Sequence, residues 1–256
     1  MSATGKPPPS PVPDRRSSRA GASASGMSRT LARDELPAML GLSIGAGLVG
    51  GIGAGILIGP IPGAVLGVVL VLAVGTVVRR RGASYRWRMG AVGERRTGRR
   101  LDSLRRRGWV VFHDLSLPGS RANVDHLIIG TSGVYLVDSK YRRGAVRFGG
   151  RRGWIRIGKT GGPLLVRSAK YEADAVSRVL SSALGRRVDV TAVLAVHVPR
   201  SRFPGWREFS ASGVPIMAAS AVVPWLRARH ALVFSSSEVA RVAEVVRERL
   251  PAYRQQ

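Results

Sequence analysis

Asp125, Asp138 and Lys140 sit where the surrounding pattern asks for valine or isoleucine. In residues 123–140, NVDHLIIGTSGVYLVDSK, two apolar runs flank a Gly-Thr-Ser-Gly turn. A charge within such a strand is costly unless it is paired or bound to a cation. Strand alternation sends the Asp138 and Lys140 side chains to one face and Ser139 to the other. If Gly130 to Gly133 closes a hairpin, Ile129 faces Val134 and Asp125 faces Asp138. Opposed side chains have Cβ atoms about 4.5–5.5 Å apart, and like charges there repel. One carboxyl must then keep its proton, or a cation must lie between the two. Two carboxylates completed by waters and phosphate oxygens suit Mg²⁺. Lys140, one step along the same face, can hold a scissile phosphate, orient an attacking water or stabilise developing charge. The plainer alternative is an Asp138–Lys140 pair at a solvated strand end. Asp125, in an otherwise apolar strand, weighs against it.

The elements around this hairpin read as follows. Residues 1–35 are rich in Ser, Pro, Arg and Gly without apolar periodicity, as expected of a disordered basic tail. No charged residue occurs over 36–78, and Gly59-Pro60-Ile61-Pro62-Gly63 interrupts that run. Two helices over 36–59 and 61–78, joined by a tight turn, fit this pattern, each near the length that crosses a bilayer. Arginines 29 and 33 precede the pair and arginines 79, 80 and 81 follow it. The excess of positive charge then places both ends, and the C-terminal domain, on the cytoplasmic side of the cell inner membrane. Gly47, Gly51, Gly55 and Gly59 recur at every fourth residue, which permits close packing within the hairpin or between protomers of a homo-oligomer. Gly45-Ala-Gly47-Leu-Val-Gly50 matches a dinucleotide fingerprint, but no β-branched strand precedes it and no acidic residue follows at ribose-binding distance.

Residues 79–89 form a basic juxtamembrane linker, and a helix within 79–107 carries Gly90, Gly93 and Glu94 near its start. A strand over 109–115, the hairpin 123–140, a strand pair around 145–148 and 154–157, a helix over 168–184 and a buried strand over 191–198 follow. A short strand over 214–218 and helices over 222–229 and 237–250 complete the pattern. This order predicts an α/β domain with a mixed sheet over residues 90–250. His126 falls on the face opposite Asp125 and reads as a core histidine, and the tryptophans read as anchors. The chain carries 41 Lys+Arg against 15 Asp+Glu and no cysteine. The charge favours nucleic acid or anionic membrane lipids as partners, and the missing cysteines exclude disulfides and thiolate metal sites.

Gly90-x-x-Gly93-Glu94, His113-Asp114, Asn123-Val-Asp125-His126-Leu127 and Gly133-Val-Tyr-Leu-Val-Asp138-Ser-Lys140 together resemble the nuclease-related domain (NERD) family. The resemblance spans residues 90–198. It implies a restriction-endonuclease-like mixed central sheet flanked by helices, here preceded by a two-helix transmembrane hairpin. It further implies a metal-dependent nuclease of the PD-(D/E)xK type, using Mg²⁺ or Mn²⁺ on DNA or RNA. By the same resemblance Asp125 and Asp138 bind the metal, Glu94 assists it, and Lys140 is the lysine that follows the second carboxylate. Many relatives also carry a glutamine on the next helix, whereas this chain has Lys170, Tyr171 and Glu172 in that region. That departure leaves open a weakened, nucleic-acid-binding or membrane-scaffold module on the same fold.

Overall fold

The computed structural model describes residues 19–120, 122–141, 146–149, 154–157, 160–197 and 209–253. The expectations for residues 1–18, Ala145 and Val198 fall outside that set. The chain divides into two bodies, one built on residues 21–93 and one on residues 94–254.

The first body is a helical hairpin of α1 (Ala22–Ile58) and α2 (Pro60–Arg81). The break between them is narrower than the turn expected over 59–63. Gly59 alone makes it, at φ 107°, a conformation open to glycine. Pro60 then starts α2 directly, since a first-turn proline has no N–H to lose and its fixed φ suits a helix. At the other end, α1 begins at Ala22, inside the stretch expected to be a tail. Tertiary bonds explain the extension. The Ser28 hydroxyl donates to the Ser84 carbonyl at 3.1 Å, and the Ala83 N–H donates to the Glu35 carboxylate at 2.6 Å. Arg79, Arg80 and Arg81 lie in the last turn of α2, where cations complement the helix dipole.

The glycine spacing is used inside this hairpin. A Cβ built on Gly63 would lie 2.5 Å from the Cα of Gly55 and 2.6 Å from the carbonyl oxygen of Gly51, and one on Gly67 would lie 2.9 Å from that of Gly47. Backbone meets backbone there, so a second copy would need a different face. A Cβ on Gly75 would stand 3.8 Å from that of Ser43, a separation that a disulfide bridges. A Ser43→Cys/Gly75→Cys chain is therefore expected to crosslink efficiently under oxidation. Adding Gly63→Leu should prevent it, because overpacking by a side chain costs about 1–3 kcal/mol and here meets rigid backbone. Crosslinking that survives Gly63→Leu would contradict this packing. Both helices are long and apolar enough to cross a membrane, with mean hydropathy 1.9 and 2.5, and residues such as Ile56 and Leu57 are more than three-quarters exposed at 80% and 83%.

Helix α3 (Ala83–Leu101) passes from the first body into the second at Glu94. Glu94 was expected near the start of its helix but lies well inside it, so dipole complementarity at a first turn does not account for this carboxyl. The second body holds a six-stranded sheet in the order β1-β2-β3-β7-β9-β8 and a small sheet of β4-β5-β6. The strands are β1 (Val110–Ser116), β2 (Asn123–Gly130), β3 (Gly133–Tyr141), β4 (Val146–Gly149), β5 (Trp154–Ile157), β6 (Thr160–Gly161), β7 (Val190–His197), β8 (Phe209–Ala211) and β9 (Val214–Ala218). Strands β1, β2 and β3 pair antiparallel, β3, β7 and β9 parallel, and β8 antiparallel to β9. This is the expected mixed sheet.

Helices cover both faces. Leu127, Ile129, Leu136 and Leu194 pack with Val176 and Leu180 of α4 (Gly162–Leu184) and Val242 and Val246 of α6 (Ser236–Arg249). On the other face Ile128, Tyr135, Val137 and Val193 pack with Leu101, Leu104, and Val222 and Leu226 of α5 (Val222–Arg227). Strand β7 is thus buried on both sides, as its unbroken apolar run predicts. Trp109 and Trp225 flank Tyr135 at ring-centroid distances of 6.0 and 5.8 Å, as structural anchors. Helix α4 starts earlier than expected because Pro163 nucleates its first turn, and Ser235 caps α6 in a capping box with Glu238. One pairing has no signal in the sequence: residues 251–253 lie along the outer edge of β1. The Ser116 N–H donates to the Pro251 carbonyl at 2.8 Å, and the Tyr253 N–H to the Asp114 carbonyl at 2.8 Å.

Candidate active site

The hairpin register follows the expected rule, with Ile129 opposite Val134 and Gly130 opposite Gly133. The paired ladder ends at His126 opposite Val137, one step before Asp125 would meet Asp138. There the Asp125 carboxylate accepts the Ser139 N–H at 2.9 Å, so a side chain takes the place of the next strand-to-strand bond. The same step is missing between β1 and β2, whose ladder pairs His113 with His126 and Leu115 with Val124 but skips Asp114 and Asp125. Asp114 has φ 54° in the middle of its strand. A left-handed aspartate costs of order 1–3 kcal/mol. The Asn123 side-chain amide donates to its Oδ1 at 3.0 Å.

Five carboxyl groups act on one another here. Asp114 is 1% exposed, Asp138 2%, Glu94 and Glu172 9% each, and Asp125 is half-buried. Burial, then the charges of Asp114 and Asp138, push the Glu94 carboxyl up to about 7. Burial and then Asp138 push Glu172 up to about 7, against the pull of Lys140 and the Ser168 hydroxyl, which donates to it at 3.1 Å. Burial, then Glu94 and Asp138, raise Asp125 well above the usual carboxylate range. Burial alone would lower Lys140, but Asp138 and Asp125 outweigh it and hold the ammonium protonated far above neutrality. Its Nζ lies 2.6 Å from Asp138 Oδ1. Lys140 is therefore a fixed cation rather than a proton acceptor. All four residues singled out in the sequence fall within this field of charge. Asp114 and Glu172 join them, and the sequence signal for each was present: His113-Asp114 as a motif, and Glu172 as one of three residues, with Lys170 and Tyr171, in the region where a glutamine was expected.

The donors fit a hard divalent cation of the Mg²⁺ type. All are carboxylate oxygens, and Asp138 Oδ2 is buried without a hydrogen-bond partner, the mark of an acceptor built for something else. No group of three or more His, Cys, Asp or Glu side chains among the described residues forms a ready metal cage. A cation that takes one or two carboxylates and completes its shell with water and phosphate needs none.

The opposite face of the hairpin carries a second buried polar group. His126, expected as a core histidine, is fully buried, and burial followed by the neighbouring His113 lowers its pKa well below the usual value, so it is neutral. Its Nε2 lies 3.2 Å from the Ser139 hydroxyl and its Nδ1 2.9 Å from Nδ1 of His113, whose Nε2 lies 3.1 Å from Asp102. An ionised carboxylate only accepts, and Asp102, although burial opposes it, is held down at about 2 by bonds from His113 and Arg105. His113 therefore donates to Asp102. His126 thus bridges the His113 ring and the Ser139 hydroxyl. Removing the middle of this chain in His126→Leu should strand His113 and Ser139, at about 1–3 kcal/mol for each buried group. A clearly lowered melting temperature checks it, and an unchanged melt would contradict the chain.

Residues 89–197 match the family model of the nuclease-related domain, so the resemblance read from the four motifs holds over that stretch. Comparison with curated proteins and with solved structures gives no match.

Proposed function

We propose that this nuclease-related domain is a divalent-metal-dependent phosphodiesterase acting on DNA or RNA, carried on a membrane hairpin and facing the cytoplasm. The observation that carries the reading is Asp138, whose Oδ1 is held by Lys140 at 2.6 Å while Oδ2 is buried without a partner. Asp125 and Asp138 would hold Mg²⁺ or Mn²⁺, with Glu94 assisting. When bound, such a cation polarises the phosphate and makes an attacking water more acidic. Lys140 binds a non-bridging oxygen of the scissile phosphate and offsets the negative charge that grows on it as the water oxygen bonds to phosphorus and the bond to the leaving sugar oxygen breaks. The Ser139 N–H fixes the orientation of Asp125 toward the same space. Exposed arginines 95, 96, 99, 100, 106 and 107 suit a phosphate backbone approaching this centre.

The membrane part rests on the two apolar helices, their uncovered outer faces and the arginines at the end of α2, which favour anionic lipid headgroups. A second reading keeps the fold and drops the chemistry. Glu172, standing in the region where relatives have glutamine, favours it. Purified full-length chain in detergent, assayed on single- and double-stranded DNA and RNA with Mg²⁺ or Mn²⁺, separates the two. The nuclease reading expects cleavage that EDTA abolishes. Binding without cleavage leaves the second reading standing.

A further inference from the structure

Asp114 is held in this centre against a backbone cost. It lies mid-strand with φ 54°, in a register position opposite Asp125 where the β1–β2 ladder is interrupted. Aspartate and asparagine tolerate that backbone better than most residues, but glycine adopts it freely. A chain that needed only a kink here would be served by glycine. Instead a carboxylate is retained, 1% exposed, clamped by the Asn123 amide at 3.0 Å, with its backbone carbonyl accepting from Tyr253 at 2.8 Å. The buried Asp138 Oδ2, which has no hydrogen-bond partner, belongs to the same acidic centre and independently suits it to a cation.

We infer that Asp114 is a positioning residue of the acidic centre: its carboxylate, locked by a strained backbone and Asn123, adds the negative charge that makes Glu94, Asp125 and Asp138 draw a divalent cation tightly. This rests on the proposed metal-dependent reading. The carboxylate acts through its neighbours' field, as the outer groups around a metal commonly do, and loss of such a group weakens metal affinity about 10–100-fold.

Full-length protein in detergent, titrated with Mn²⁺ and followed by calorimetry and by metal-induced thermal shift, tests the inference. Asp114→Asn keeps the shape, the tolerance for left-handed backbone and an oxygen for Asn123, and removes only the charge. It should bind Mn²⁺ about ten-fold more weakly, with its metal-free melting temperature unchanged or raised. Asp114→Gly should relieve the backbone and melt no lower than wild type, while also binding Mn²⁺ weakly. A purely structural role predicts the reverse for glycine: a lower melting temperature with metal affinity intact. Wild-type binding that Asp114→Asn leaves untouched, while Asp125→Asn abolishes it, would overturn the inference alone. A wild-type chain that binds no Mn²⁺ would overturn the metal-dependent reading and the inference with it.

Discussion

Asp138→Asn is expected to abolish metal-dependent cleavage while leaving the sheet folded. The substitution keeps the shape of the side chain, and its amide oxygen still accepts from Lys140, which stands 2.6 Å from Oδ1 in the native chain. The backbone of Asp138 stays paired with Leu194 in the centre of the sheet. At Oδ2 an N–H group replaces an oxygen that has no partner, and an amide nitrogen does not ligate a hard cation. Losing one fixed group of this kind typically lowers turnover by about 10²–10³-fold. The measurement is the initial rate of cleavage with Mg²⁺ or Mn²⁺ against wild type, alongside thermal melting of both chains. A rate within ten-fold of wild type would remove Asp138 from the reaction.

The second large effect is a pH dependence that runs against the usual acid denaturation. Glu94 and Glu172 titrate near 7 in the folded chain, against 4.5 for an ordinary glutamate. Between those two pH values the folded state therefore binds more protons than the unfolded state, and stability falls as pH rises. Below about 4.5 this stabilisation is present in full, and above about 7 it is lost. Each shift taken alone corresponds to roughly 3 kcal/mol; the two together amount to less than double, because both groups share the field of Asp138. Metal-free protein should accordingly melt at a higher temperature at pH 5 than at pH 8. Millimolar Mg²⁺ should restore stability at pH 8 by supplying the missing positive charge, and a Glu94→Gln/Glu172→Gln chain should lose most of the slope. A melting profile that is flat, or that rises toward pH 8 in EDTA, would mean that these carboxyls do not crowd one another.

The hairpin at the heart of the site was legible because its signals are local. Period-two alternation and a glycine turn set the register of Ile129 with Val134 without reference to any other element. The same alternation put His126 and Ser139 on the far face, where they do bond to each other. What the sequence hid depends on elements distant along the chain. Glu94 reads as a first-turn acid until α3 is seen to start at Ala83, and that start is fixed by the Ser28 hydroxyl, which donates to Ser84, and by the Glu35 carboxylate, which accepts from Ala83. Glu172 reads only as a missing glutamine until α4 brings it beside Asp138 and Lys140. Asp114 looks like an ordinary strand-end residue, since no propensity announces a left-handed aspartate between two paired neighbours. Residues 251–253 carry no strand pattern at all, because one short apolar-poor segment pairs through its backbone alone.

That last pairing has a consequence for the timing of the molecule's birth. Synthesis delivers β1, β2 and β3 long before residue 253, so the growing chain carries β1 with an open outer edge. Open edges recruit other strands, and a ribosome-bound chain crowded among its siblings meets many. Only when residues 251–253 emerge does the Asp114 carbonyl gain the Tyr253 N–H and the edge become covered. The acidic centre is thus finished late, its left-handed aspartate sealed by backbone made after every strand of the sheet, and chaperone protection would be worth most in that interval.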